Sequence, residues 1–542
     1  MSLQPFDATG KFQGPTENAE LSKSTVRNAG ITVFAQGSVF AINLISMLIL
    51  ARILGPADFG LVTMVTTFSL LFASFGLAGL TEAVLQTEEI NSSLASNLFW
   101  TNISGGLILS VAFGAAGSLL ARFYSDPRIT KVAIGFSLAI FFSIAPVLHL
   151  SLLKRAMQFA PISANDIIGR VAAVLTAICC ALLGWGYWAL VAGAVVQPIV
   201  VSIGAWILCP WLPALPRQVP GTGKMIRYAI HVYGRYSLNY CTGNIDNLLV
   251  GWRFGAAALG FYKKAFDLFV LPSSQLLSPI LAVVVTTLSR KNKNTDDYKR
   301  YFLKGLCIVT FVGMAASADL TLIGRDAVRL LLGSKWGEAG RIFTYFAPGI
   351  GMMLVYQTTG WIHLSLGTTG RFLRWTVVEL SVTGLLFLLA LRWGPVGIAG
   401  AWTTSFCILT IPAIWYAGKP INLPVGSVLN AIWRYVVAAL IAGLSCAAVV
   451  ARMRWLPLVA AFGLAGTITR IATNSVLFTL LYLGIIIVLF GGIEPLRQFA
   501  RLIPDLVPGL SSRRKSRSVE GSHQILHSHV VESAAQKATY KN

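Results

Sequence analysis

Charge is what this sequence has least of. Only 12% of its 542 residues are Asp, Glu, Lys or Arg, and just 21 of them are acidic. That is too few to clothe a soluble globule of this length, so a soluble enzyme or regulatory domain is excluded. Cysteine is sparse as well. The seven (Cys179, Cys180, Cys209, Cys241, Cys307, Cys407, Cys446) stand within or beside apolar stretches, without the spacing of metal ligands, and read as small packing residues. No phosphate-binding loop, nucleophile elbow or paired-carboxylate motif is present, so the sequence offers no catalytic residue, no metal site and no cofactor site. The early residues lack an apolar run of signal-peptide type, so residues 1–28 read as a polar segment retained in the mature chain.

What is abundant is apolar length. Hydrophobic residues make up 55% of the chain and the mean hydropathy is +0.69. A bilayer core of about 30 Å takes about 20 apolar residues per crossing, and such runs recur from Val33 to Gly492. The sequence predicts an all-α, polytopic membrane protein of fourteen crossings, near 29–50, 61–83, 96–120, 131–152, 164–183, 187–209, 227–251, 257–287, 300–323, 342–366, 372–392, 396–417, 430–450 and 472–491.

The formal net charge of +22 sits in loops and tails flanking these runs, where anionic lipid is a simpler partner than nucleic acid. An even number of crossings puts both termini on one side. Loop charge leaves that side open, with 13 basic residues on one side and 15 on the other; the latter include Arg325, Arg329, Lys335 and Arg341 in one amphipathic segment. The basic termini and the loop Ser289–Arg300 (SRKNKNTDDYKR) place both ends in the cytoplasm. The external side holds no segment large enough for a folded domain.

The chain also resembles itself at an offset of 200 residues. ARILGPADFG at 51–60 aligns with GWRFGAAALG at 251–260, matching Gly55, Ala57 and Gly60 to Gly255, Ala257 and Gly260. Each copy closes one long apolar run and opens the next. A weaker echo pairs Trp185-Gly186 with Trp393-Gly394. The expected organisation is a polar segment at 1–28, six-helix bundles at 29–211 and 225–418, an extra helix pair at 430–491 and a basic tail at 492–542. The four glycines Gly55, Gly60, Gly255 and Gly260 are the expected hinge points.

Charge inside the membrane costs about 3 kcal/mol or more per group, so polar residues within the runs mark a cavity or a partner. Crossing seven carries Arg235, Asn239, Thr242 and Asp246 at i, i+4, i+7 and i+11, on one helical stripe. Crossing eight carries Lys263, Lys264 and Asp267 and is interrupted by Pro272 and Pro279. In the first half, Gln36 and Asn43 share a face of crossing one, and Arg170 enters crossing five. Crossings one, seven and eight are therefore the expected cavity lining. For each charged residue the competing role is an ion pair that locks two helices or an anchor at the interface. His149 and His363 fit hydrogen-bonded packing better than proton relay, and His523, His527 and His529 lie in the polar tail.

The stretches Leu50–Val62 (LARILGPADFGLV) and Asn244–Phe269 (NIDNLLVGWRFGAAALGFYKKAFDLF) with Leu271-Pro272, the run Ile280–Arg290 ending in LSR, and Gly333-Ser334-Lys335-Trp336 resemble the lipopolysaccharide and exopolysaccharide biosynthesis flippases. These belong to the multidrug/oligosaccharidyl-lipid/polysaccharide superfamily. The resemblance covers residues from about 25 to 450 and implies two six-helix bundles in a V (MATE-like) plus two added C-terminal helices. It further implies an inner-membrane transporter, not an enzyme, that moves an undecaprenyl-diphosphate-linked oligosaccharide across the bilayer by alternating access, beside polysaccharide polymerase and export machinery. A diphosphate favours arginine for its bidentate geometry. Arg235 and Arg170 are the candidates on physical grounds, since neither lies in the recognised motifs. The alternative within the same superfamily is a cation or drug antiporter, which would need an acidic cavity, whereas the polar crossings here are on balance basic. A membrane-embedded glycosyl transferase is disfavoured by the lack of catalytic carboxylates. The tail after Leu510 departs from the family pattern.

Overall fold

The computed structural model describes residues 3–12, 18–75, 79–87, 89–217, 222–274, 278–291, 294–453, 463–493 and 497. The helices of the first half are α1 (Asn18–Ile53), α2 (Pro56–Phe75), α3 (Thr81–Gln86), α4 (Ser92–Tyr124), α5 (Arg128–Ile144), α6 (Val147–Arg155), α7 (Phe159–Leu182) and α8 (Tyr187–Leu208). The second half continues with α9 (Thr222–Thr242), α10 (Ile245–Pro272), α11 (Ser278–Lys291), α12 (Thr295–Leu332), α13 (Gly337–Phe346), α14 (Gly349–Gln357), α15 (Thr359–Ser365), α16 (Thr369–Ala390) and α17 (Gly394–Gly418). A last pair, α18 (Val425–Arg452) and α19 (Gly463–Phe490), follows. The described residues contain no β-strand, only two isolated bridges.

Ten helical stretches among the described residues are long and apolar enough to cross a membrane. One of them, Thr369–Ile421, has 53 residues, about 80 Å of helix, and reverses at Gly394, whose φ of 73° only glycine adopts freely. It holds two of the expected crossings. The other three of the fourteen are the broken or polar ones. Crossing seven is divided between α9 and the start of α10, crossing eight is interrupted between α10 and α11, and crossing ten is split into α13, α14 and α15. Two of these, crossings seven and eight, were expected to wall a cavity, whereas crossing one, the third expected wall, is a continuous apolar span and crossing ten was not expected there.

Local chemistry sets the ends. The Asn91 side chain caps α4 by accepting from Leu94 N at 2.8 Å, and Asn294 caps α12 through the backbone N–H groups of Asp296 and Asp297. Gly186 (φ 56°) and Gly394 (φ 73°) both stand at positive φ at the start of α8 and α17, so the Trp-Gly echo corresponds to one turn geometry used twice.

In the first half α4 packs on α5, α7 on α8, and α1 on α7; in the second, α12 packs on α13 and α14, and α17 on α14 and α16. The last pair packs on itself and on α12. It is fastened there by Tyr482 Oη donating to Phe311 O (2.8 Å), Ser475 Oγ donating to Asp319 Oδ2 (3.0 Å) and an Arg470–Asp326 ion pair at 3.0 Å.

One membrane face, hereafter the near side, carries residues 3–12 as a small hairpin. Leu3 N donates to Leu208 O (2.8 Å), Phe6 packs on Trp211 at 5.4 Å, and the Arg155 guanidinium stands 5.3 Å from the centre of the Phe12 ring. The sequence reading of residues 1–28 as merely polar missed these apolar anchors at every third to sixth position. His149 lies under this cap, its ring tilted against Trp206 at 4.2 Å with Nε2 3.2 Å from Trp211 O. The linker between the halves is strapped to α4: Trp100 Nε1 donates to Ala214 O (2.9 Å) and Arg217 N donates to Asn97 Oδ1 (2.9 Å).

Candidate functional site

The two copies of the sequence repeat meet each other. On the far side, opposite the hairpin, α2 crosses α10 so closely that a Cβ on Gly60 would collide with the carbonyl of Ala256, and one on Gly260 with the carbonyl of Pro56. Positions 56 and 60 and positions 256 and 260 thus exchange the same contact, as a local two-fold requires. Small residues allow such backbone approach within a membrane.

The turns feeding this crossing differ. Gly255 has φ 79° and ψ −178°, open to glycine alone, and it bends α10 into two helices. Gly55 is not at positive φ; its N–H is held by Asp58 Oδ2 at 2.9 Å, and the next helix starts at Pro56. The sequence match at Gly55 and Gly255 therefore joins two different solutions to one turn.

Trp336 seals this side. It is fully buried, donates Nε1–H to Ala51 O at 2.8 Å, and meets Phe59 of the first half and Phe261 of the second edge-on at 5.5 and 6.0 Å. Lys264 of α10 reaches the Phe59 ring, 4.3 Å from its centre.

A second contact lies toward the near side. A Cβ on Gly79 would collide with Ala229 O of α9, Tyr233 Oη donates to Leu71 O (3.0 Å), and Ser74 Oγ donates to Tyr236 Oη (3.2 Å). Crossing two thus touches the second half at both of its ends.

The expected lining residues fall into two groups. Gln36 and Asn43 are exposed on one face of α1, opposite exposed Phe34 and Ile45. Arg170 lies on α7, which packs on α1, and pairs with Asp166 at 3.5 Å. The second group belongs to α10. Lys263 Nζ lies 2.9 Å from Asp267 Oδ1 and Lys264 Nζ 3.6 Å from Asp267 Oδ2, two cations on one carboxylate. Asp246 is completely buried; Tyr262 Oη (2.7 Å) and Trp402 Nε1 (3.0 Å) donate to its Oδ2, and Asn247 N (2.8 Å) to its Oδ1.

One expectation is corrected. Arg235, Asn239, Thr242 and Asp246 do not share a stripe, because α9 ends at Thr242 and Asp246 stands in the first turn of α10. Asn244, at φ −132° and ψ 6°, breaks the register between them. The side chains of Arg235 and Asn239 lie outside the described residues, as does the tail with His523, His527 and His529. The aromatic partners Tyr262, Trp402, Phe59 and Trp336 were not singled out; Phe59, Tyr262 and Trp336 lie within the recognised stretches, and Trp402 gave no signal.

A helical membrane protein with two matched halves, meeting through their repeat and carrying charge within the crossings, is built as a transporter is. The profile of the polysaccharide biosynthesis protein family matches residues 49–341, and the chain belongs to that family. It is similar to the succinoglycan biosynthesis transport protein ExoT of Rhizobium meliloti (strain 1021), at 24% identity over 64% of this chain and 69% of that one. It is also similar to the lipopolysaccharide biosynthesis protein WzxC of Escherichia coli (strain K12), at 23% identity over 59% of this chain and 65% of the relative. The matched region thus spans about two thirds of these relatives. Among solved structures, the lipid II flippase MurJ in an inward closed conformation superposes with a TM-score of 0.66 at 13% identity, covering 86% of this chain and 99% of that one. The chain shares the fold of that structure and is a bacterial membrane protein of the polysaccharide biosynthesis family.

Proposed function

We propose that this protein moves an undecaprenyl-diphosphate-linked oligosaccharide from the cytoplasmic to the periplasmic leaflet of the inner membrane, by alternating access, for polysaccharide export. The observation that carries this reading is the reciprocal contact of Gly60 and Gly260. Two halves that touch through one repeated element can separate there as rigid bodies, with a polar interior between them.

The near side, with its hairpin and basic termini, is the cytoplasm in this reading, so both ends of the chain are cytoplasmic. The bundles are 29–211 and 225–418, with 430–491 as an added pair. Gly255 is the hinge, because its backbone alone already bends a helix; Gly60 and Gly260 form the closing surface.

The balance of charge favours an anionic cargo. Lys263 and Lys264 outnumber Asp267, and Asp246 is fully buried and already supplied with three donors, a shell that suits a structural carboxylate better than one that takes up a cationic drug. Arg170 on α7, Gln36 and Asn43 on α1, the helix that packs on α7, and Arg235 with Asn239 on α9 are the proposed contacts to diphosphate and sugar. The polymerase and export machinery would take the product.

The test is a deletion strain complemented with wild type or with Arg170→Ala/Arg235→Ala at matched membrane abundance, assaying lipid-linked repeat units in each leaflet. The reading expects complete units trapped on the cytoplasmic side in the deletion and in the double variant. Units that cross at the normal rate in the deletion would overturn it.

A further inference from the structure

The far rim is basic in a place where topology disfavours it. Arg325 and Arg329 stand one turn apart near the end of α12, Lys335 follows in the turn, and Arg52 closes α1; all four are exposed. Arg52 Nη2 donates to Leu330 O at 3.2 Å, and its Cγ lies 4.0 Å from where a Gly333 Cβ would stand, so the end of α1 and the end of α12 carry one cluster. The neighbouring carboxylates are engaged elsewhere, Asp326 by Arg470 at 3.0 Å and Glu338 by Arg341 at 3.6 Å.

Depth identifies the chemistry that this cluster meets. Helix α12 has 38 residues, about 57 Å of rise, against about 40–45 Å for a bilayer with its headgroups. Its last two turns follow the apolar stretch and stand at the level of the far leaflet's phosphates. Basic residues on the exoplasmic side run against the usual bias of membrane proteins, and here three of them stand on helix ends and the fourth in the turn beside them. The same segment seals the far side, since Trp336 follows Lys335 and is docked on Ala51, the neighbour of Arg52.

We propose that this rim is an exit site, where Arg52, Arg325, Arg329 and Lys335 take up the diphosphate of the lipid-linked saccharide as it enters the periplasmic leaflet. This inference rests on the function proposed above. Whatever leaves when Trp336 undocks emerges beside these cations, and the arginine forks match a diphosphate bidentately.

The experiment places a photo-reactive benzoylphenylalanine at exposed Ser334 in the full-length protein, reconstituted in phosphatidylcholine vesicles with either radiolabelled undecaprenyl diphosphate or radiolabelled phosphatidylglycerol at equal mole fraction. The exit site expects cross-linking to undecaprenyl diphosphate that falls about tenfold in Arg325→Gln/Arg329→Gln/Lys335→Gln and falls less in Arg325→Lys/Arg329→Lys, which keeps the charge and loses the forks, with phosphatidylglycerol captured far less. The lysine variant also controls for folding. Undiminished capture by the glutamine variant overturns the exit site, and equal capture of phosphatidylglycerol reduces the rim to a general anionic-lipid surface. If the deletion strain traps repeat units on the cytoplasmic leaflet while the glutamine variant cross-links and exports like wild type, only the exit site falls. If the deletion traps none, the flippase reading falls with it.

Discussion

The indole N–H of Trp336 donates to the carbonyl of Ala51 at 2.8 Å, across 285 residues of sequence. This bond closes the far side with groups from both halves, because the same ring rests on Phe59 and Phe261. Trp336→Phe keeps most of the packing and leaves the Ala51 carbonyl without its donor, an expected loss of about 1–3 kcal/mol. Trp336→Ala also empties a buried site and is expected to lose about 3–5 kcal/mol. Thermal unfolding of both variants and wild type in one detergent tests the order; a Trp336→Phe variant as stable as wild type would show that the hydrogen bond contributes nothing, and equal stability of the two variants would show the same of the buried ring.

Glycine is required at Gly255 and dispensable at Gly55. Alanine at Gly255 must adopt φ 79° with ψ −178°, a strain of about 1–3 kcal/mol. At Gly55 a Cβ would meet only Asp58 Oδ2, at an ordinary 3.5 Å. Polymer export at matched abundance should therefore drop in Gly255→Ala and stay near wild type in Gly55→Ala. The reverse order would show that the far turn does not work as described.

The donors around Asp246 make its charge structural. The substitution Asp246→Asn would set an amide N–H₂ either against Tyr262 Oη–H and Trp402 Nε1–H at the Oδ2 position or against Asn247 N–H at the Oδ1 position, at an expected cost of about 1.5–3 kcal/mol. Asp246→Leu leaves all three donors buried without this acceptor and should cost more. Unfolding temperatures should fall from wild type to the amide variant and again to the leucine variant. A leucine variant as stable as wild type would mean that these donors find other partners.

The near-side hairpin shields Cys209, which is fully buried beside Trp211. In a background where the other six cysteines are serine, deleting residues 3–12 should uncover Cys209 to a water-soluble maleimide. Unchanged labelling would show that the linker covers Cys209 without the hairpin.

These expectations differ in how far the sequence alone could carry them. Apolar length announced the crossings, and the Gly60/Gly260 match announced the two halves, because a repeat survives in one-dimensional spacing. The stripe from Arg235 to Asp246 misled, since helical periodicity assumes an unbroken helix and Asn244 interrupts this one. Lys264 over Phe59 and Tyr262 and Trp402 on Asp246 were invisible for another reason. Their partners are 205, 16 and 156 positions away, and aromatic residues in an apolar run carry no mark of what they will face. The hairpin escaped because Leu3, Phe6 and Phe12 are too widely spaced to look like a structural element.

The contact between Gly60 and Gly260 also limits what genetics can repair. A side chain that grows on one surface can be answered by one that shrinks on the other, but the atoms facing these glycines are the carbonyls of Ala256 and Pro56, which no codon change removes. A selection for revertants of Gly60→Val should therefore return true glycine or alanine at position 60, or distant changes that loosen the whole crossing, and no compensating substitution at position 256.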